Sequence, residues 1–148
     1  MKTEWSIKSF DELTSLELYK IIQLRIEVFV VEQNCPFQDA DNKDQTSWHF
    51  MGWQSDQLVA YTRIVPPGLA FSEPSIGRVV TSKLVRGTGM GRILMEKSME
   101  ELYKLYPSSS IKIGAQLYLK TFYESLGFVT CSDIYLEDGI EHIYMIKA

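Results

Sequence analysis

Three glycines at alternate positions, Gly87, Gly89 and Gly91, close the stretch IGRVVTSKLVRGTGMGR that runs from Ile76 to Arg92. A strand that passes through such a turn into a helix makes an anion site. Glycines let successive backbone N–H groups point into one concavity, and the helix N-terminus adds partial positive charge, so a diphosphate can be held without a lysine. Spacing excludes two common alternatives. A P-loop requires GxxxxGK[ST], and no lysine followed by Ser or Thr closes this turn. A dinucleotide fold requires an acidic residue after the next strand, whereas Ile111–Gly114 is followed by Ala115 and Gln116. Glycines that merely shape a tight turn are the structural alternative.

Other reactive side chains give weaker signals. Cys35 and Cys131 show no CxxC or zinc-ribbon spacing, which points to a reducing compartment without a disulfide framework. Cys35 has no histidine beside it to activate a thiol nucleophile, and nothing in the spacing of Cys35, His49 and His142 specifies a metal site, so no metal is expected. The acidic run Asp39, Asp41 and Asp44 reads as a solvated loop, with attraction of a cationic substrate as its functional alternative.

The elements that must position these residues follow from periodicity. Trp5–Phe10 alternates as a strand, and Thr14-x-x-Glu17 has capping-box spacing for a helix that runs to about Phe29. Arg25 falls on that helix's apolar face and needs a partner there. Polar residues 34–47 predict a loop with at most one helical turn. A hairpin is expected from His49–Trp53 and Leu58–Val65, then a strand at Ser75–Thr81 and a helix from Gly89 that Pro107 stops. Ile111–Ala115 reads as the next strand. Leu119, Phe122, Tyr123 and Leu126 keep helical spacing up to Gly127, and a last hairpin, Phe128–Leu136 with Glu141–Lys147, turns at Asp138-Gly139. The order predicts one α+β domain over residues 1–148 with a mixed, mostly antiparallel sheet.

The chain's 148 residues are 45% hydrophobic and 23% charged, as expected of a globular domain. With 15 basic and 19 acidic residues its net charge is -4, which gives no field to hold a nucleic acid. No signal-like apolar stretch or membrane span is apparent, so a cytoplasmic protein without a membrane partner is expected.

Arg86-x-x-Gly89-x-Gly91 resembles the coenzyme A signature of the GNAT superfamily of N-acetyltransferases. Phe122-Tyr123-Glu124-Ser125-Leu126-Gly127-Phe128 resembles that superfamily's FYxxxGF segment. Val28–Asp39, Gly114-Ala115-Gln116 and Glu137–His142 extend the resemblance, which is to the ElaA branch, over nearly the whole chain. Many GNAT proteins carry Asn where this chain has Gln116.

The resemblance implies a three-layer fold with helices on both faces and a splayed central strand pair. It implies acetyl-CoA as co-substrate, its diphosphate on the backbone of Gly87, Thr88, Gly89, Met90 and Gly91, with Arg86 at the edge. Pantetheine would lie along Val79, Val80 and Thr81 and near Gln116, with a freed N–H near Val80 polarising the thioester carbonyl. The reaction implied is direct attack by a primary amine of a small molecule or peptide. Tyr123 matches the family's proton donor, with a core aromatic as the alternative. Glu32, His49 and His142 are the candidate bases, beside water relays. Glu32 has the alternative of pairing with Arg25 or Arg63, and each histidine that of a satisfied strand residue. The acceptor sets how strong a base is needed, because deprotonating a lysine-like amine at pH 7 costs about 4.6 kcal/mol and an α-amine about 1.4 kcal/mol. A binding module that senses acyl-CoA without turnover is the second reading. Leu24-Arg25-x-x-Val28-Phe29 also resembles acyl-homoserine-lactone synthases, although the chain is short for one. A homodimer along an exposed strand edge is left open.

Overall fold

Thr14 starts the first helix through the reciprocal pair that its spacing predicts. Glu17 N–H donates to Thr14 Oγ1 at 3.1 Å, and Thr14 N–H donates to Glu17 Oε1 at 2.8 Å. In the computed structural model, which describes residues 2–148, this helix α1 (Ser15–Arg25) runs on into a wider π-helical segment, Ile26–Glu32. Gln33 and Cys35 N–H reach back to Val28 O and Val30 O. The helical path therefore ends beyond Phe29, because a search for a 3.6-residue period does not register a π turn.

One antiparallel sheet has the order β1 (Glu4–Ser9), β2 (Trp48–Gln54), β3 (Gln57–Val65), β4 (Ser75–Thr81). In a second, β5 (Ile111–Gln116) pairs with β8 (Ile140–Lys147), which also takes β6 (Val129–Thr130) and β7 (Tyr135–Glu137). The helix α2 (Met90–Leu105) crosses from β4 to β5, yet these neighbouring strands share no ladder. Lys112 N–H donates to Pro74 O at 3.2 Å where they begin, and beyond that point they part. The expected splay is present.

Helices cover both faces. From α1, Ile21 and Leu24 pack with Met51 and Tyr61. From α2, Leu94, Met95 and Leu102 pack with Ile64 and Ile113 in the other cluster. Ser98 interrupts that apolar stripe and is fully buried, but its hydroxyl is satisfied by Thr62 Oγ1 at 2.7 Å. No helix among the described residues is long and apolar enough to cross a membrane.

Two further expectations need correction. The hairpin's first arm is broken, since four residues, Cys131 to Ile134, lie opposite only Ile143 and Tyr144. Ser132 Oγ accepts the Tyr144 N–H at 2.9 Å, replacing the ladder bond that the bulge removes. The acidic run is not a solvated loop. Arg25, fully buried, meets Asp39 (Nε–Oδ2 2.9 Å) and Asp44 (Nη1–Oδ1 2.8 Å). Arg63 Nη1 meets Asp41 at 2.7 Å and Asp44 at 2.9 Å, and Arg78 Nε meets Asp39 at 3.0 Å. Three guanidiniums from α1, β3 and β4 thus balance three carboxylates, which lets Asp39 and Asp44 be buried and Asp41 half-buried.

Candidate active site

After Thr81 the chain leaves β4 through a short turn capped by Ser82, whose Oγ accepts the Leu84 N–H at 3.2 Å. Val85 is buried and anchors the turn. Gly87 (φ 77°) and Gly89 (φ 82°) then take left-handed conformations on either side of Thr88, which glycine adopts without a side-chain penalty. Met90 is buried and pins the start of α2. Among the described residues the N–H groups of Gly87, Thr88, Gly89, Met90, Gly91 and Arg92 have no hydrogen-bond partner, and pairing resumes at Ile93 N–H, which donates to Gly89 O at 3.3 Å. Gly91 lies inside α2, and a Cβ built on it would meet nothing within 4 Å. Neither packing nor backbone conformation asks for glycine there, whereas close approach of a ligand does.

This row opens on a cleft of about 600 Å³ between the parted β4 and β5. The π-helical segment forms part of its wall with Val28, Phe29 and Glu32, and the β7–β8 turn supplies Glu137 and Asp138. Cys35 Sγ–H donates to Asp138 O at 3.3 Å and fastens that turn to the loop after the helix. Within β4, Arg78 and Val79 lie opposite the single residue Thr62, because the pairing passes from Arg63↔Gly77 to Tyr61↔Val80. Arg78 takes φ 50° in this bulge.

Tyr123 lines the cleft at 5% exposure, packed edge-on to Phe122 and Phe128. Its hydroxyl has no hydrogen-bond partner among the described residues. Burial first, and then the nearby Tyr118, push its pKa well above the ordinary phenol value, so it stays protonated. His142 also lines the cleft. Its Nδ1 lies 2.7 Å from Ile140 O, an acceptor that assigns a proton to Nδ1, and its Nε2 lies 3.6 Å from Glu137 Oε2.

Residues 20–148 match the family model described as an acetyltransferase (GNAT) domain. The chain belongs to the GNAT acetyltransferase family. It is 43% identical over 146 residues to Protein ElaA of Escherichia coli K12, with 97% of this chain and 95% of ElaA covered. The crystal structure of E. coli ElaA superposes with a TM-score of 0.93 at 42% identity, covering 99% of this chain and 100% of that one. A Pseudomonas aeruginosa protein described as an acyl-CoA N-acyltransferase gives 0.95 at 41% identity, again covering 99% and 100%. A CoA-dependent acyl-homoserine lactone synthase, BjaI, gives 0.79 at 14% identity with 98% and 82% covered, a likeness of fold alone.

As a GNAT domain the chain gathers Val79, Val80, Thr81, Arg86, Gly91, Gln116, Tyr123, Glu32 and His142 around one cleft, with Gly87, Thr88, Gly89 and Met90 in the turn at its rim. It does not bring His49 there. His49 is fully buried away from the cleft, its Nδ1 2.6 Å from Tyr61 Oη and its Nε2 2.9 Å from Asp44 O. Burial leads in holding its pKa below the usual value, and with both nitrogens engaged it meets no substrate. Glu32 pairs with neither Arg25 nor Arg63 but with Arg86, Nη2–Oε2 3.2 Å. That hydrogen bond leads in lowering the carboxyl's pKa and weakens it as a base. The Gln116 amide pairs reciprocally with Gln33 at 3.3 Å, so a contact with pantetheine would first have to displace Gln33. Arg78 and Phe37 line the site without having been singled out in the sequence, since no local pattern announces a bulge or a buried ion network.

Proposed function

We propose that the chain is an N-acetyltransferase that moves an acetyl group from acetyl-CoA to a primary amine of a small molecule or peptide by direct attack. One observation carries the proposal: six consecutive amides, Gly87 to Arg92, stand without a partner among the described residues at the mouth of the cleft that contains Tyr123 and His142. Backbone donors at a helix N-terminus suit a diphosphate, and Arg86 adds charge at their edge. The parting of β4 from β5 supports a pantetheine arm lying along Val79, Val80 and Thr81.

Acetyl-CoA supplies an activated thioester whose C–S bond breaks as the new C–N bond forms. His142 Nε2 takes the proton that the attacking amine loses, and Glu137 steadies the resulting imidazolium. A main-chain N–H freed at the β4 bulge stabilises the oxygen on which negative charge develops. Tyr123 directs its hydroxyl proton to the departing sulfur. A phenol with a raised pKa gives up that proton reluctantly, but the dry surroundings that raise it also raise a thiol, which keeps the two matched. Both guanidiniums in the lining are paired with carboxylates, Arg78 with Asp39 and Arg86 with Glu32. Glu137 and Asp138 then favour the approach of a cationic amine.

Calorimetry with acetyl-CoA and CoA, and thiol release across polyamines, amino acids, aminoglycosides and peptides, test the proposal. Binding of acetyl-CoA and turnover of at least one amine are expected. Binding without any turnover would leave the acyl-CoA sensor reading, and no binding would discard both.

A further inference from the structure

Arg78 combines three features that the reaction scheme leaves unused. It is the non-glycine residue at φ 50° inside the β4 bulge, a strained conformation for an arginine that persists only where its surroundings hold it. Its side chain lies along the cleft wall, 22% exposed, with the guanidinium 5.7 Å from the Phe37 ring centroid. It is also tied down at three points: Nε to Asp39 Oδ1 at 3.0 Å, Nη2 to Asp39 O at 3.0 Å and Nη2 to Asp41 Oδ2 at 3.3 Å.

The anchors are themselves immobile. Asp39 is 6% exposed and also meets Arg25, which is fully buried, and Asp41 is held by two nitrogens of Arg63 at 2.7 and 2.9 Å. The network therefore fixes the far end of a side chain whose near end is the bulge itself. A bulge releases main-chain groups from the ladder, and the direction in which they point depends on a backbone that β3 no longer holds at that residue.

We infer that Arg78 is a positioning residue: its fork on Asp39 and Asp41 locks the β4 bulge so that the freed amide next to it, at Val79 or Val80, is aimed into the cleft. Arginine suits the task because a planar guanidinium binds two acceptors in fixed geometry, which a lysine ammonium cannot reproduce. The inference rests on the proposed acetyl transfer, and its test separates the two. Arg78→Gly accepts the positive φ without strain and deletes the anchor, while Arg78→Lys keeps the charge and loses the fork.

The probe is acetyl-CoA labelled with carbon-13 at the carbonyl, with binding followed by calorimetry and carbonyl polarisation by infrared difference spectroscopy. Wild type is expected to bind it and shift the carbonyl stretch to lower frequency. Arg78→Gly is expected to bind within about twofold of wild type but to lose most of that shift, and Arg78→Lys to show an intermediate one. Where an acceptor is known, kcat should fall at least tenfold in Arg78→Gly with the KM for acetyl-CoA nearly unchanged. An equal shift in wild type and Arg78→Gly, or no shift in either, overturns the inference. Should Arg78→Gly fail to fold, a wild-type shift in Arg78→Lys overturns it as well. Wild type that does not bind acetyl-CoA overturns the acetyl-transfer proposal itself, and this inference with it.

Discussion

Arg86 reaches across the rim of the cleft to Glu32, with Nη2 3.2 Å from Oε2, and so joins the edge of the glycine-rich turn to the end of the π-helical segment. The carboxylate occupies the guanidinium that a diphosphate would otherwise meet. Both side chains are about 40% exposed, so the pair is weak and screened by salt. Glu32→Gln should therefore bind acetyl-CoA more tightly, by roughly two- to fivefold at low salt, since a competitor for Arg86 is gone. Isothermal titration at two ionic strengths checks this, and weaker binding in the variant would count against it.

Tyr123→Phe removes a proton donor and little volume. Acetyl-CoA binding should stay within about twofold of wild type, and turnover should fall by about 10²–10⁴, the range for loss of a general acid. Because burial raises the Tyr123 pKa, the phenol remains protonated as the solution turns alkaline. The wild-type kcat profile should then show no falling limb from Tyr123 between pH 7 and 10. A loss of turnover near pH 9 that disappears in Tyr123→Phe would contradict this assignment.

His142→Gln keeps a polar side chain on β8 but removes the lone pair proposed to accept the amine proton. Turnover should drop by about 10²-fold or more, with the affinity for acetyl-CoA unchanged. The penalty should be largest for acceptors with the most basic amines, because they need deprotonation most. Steady-state kinetics with an α-amine and an alkylamine acceptor compares the two, and equal losses would point to a structural role.

Asp44 holds together Arg25 and Arg63, so Asp44→Asn should destabilise the fold by about 3–5 kcal/mol at pH 7, as expected when one partner of a buried ionic group is lost. Burial is the largest influence on its pKa and would raise it, but the hydrogen bonds and charges of Arg25 and Arg63 outweigh burial and lower it. A carboxylate with a lowered folded-state pKa contributes stability that is fully present above its unfolded value near ~4 and is lost as pH falls through the folded value. His49, with a lowered pKa of its own, adds a loss that begins below about 6.5, where the unfolded chain takes up a proton and the folded one does not. Urea midpoints should show wild-type stability declining from about pH 6.5 downward, and the gap to Asp44→Asn narrowing only below about pH 4. A gap that stays constant down to pH 3 would be inconsistent with an ionised Asp44.

Gly52 lies under Trp5, and a Cβ there would come within 2.7 Å of the indole Cζ3. That indole is stacked on Phe50 at 5.3 Å and has little room to retreat. Gly52→Ala should cost about 1–3 kcal/mol through overpacking, visible as a lower Tm, with no change in acetyl-CoA affinity because the contact is remote from the cleft. An unchanged Tm would show that Trp5 moves freely.

How much of this was legible in the sequence depends on whether a feature is local. The turn at Arg86–Gly91 and the cap at Thr14 are written in neighbouring residues, and both appear where spacing places them. Arg25 was recognisable as a residue needing a partner, yet the partners could not be read. Its network draws on α1, β3, β4 and the loop between, and only folding brings these together. For the same reason the sequence alone presents the aspartates as solvated and His49 as available. The helix end near Glu32 is not legible because a π turn has no signature in a 3.6-residue period, and the Glu32–Arg86 contact is hidden with it. The break between β6 and β7 escaped because Ser132 satisfies the backbone at a place where alternation alone suggests an unbroken strand.

Because the diphosphate site proposed at the glycine-rich turn is built from amides and not from side chains, few substitutions short of altering its glycines would change what it could grip. The proposed acceptor end is lined by side chains on the π-helical segment and the β7–β8 turn, and these can be exchanged one at a time. A lineage with this architecture is free to change the molecule it modifies while keeping the same currency of activated acyl groups.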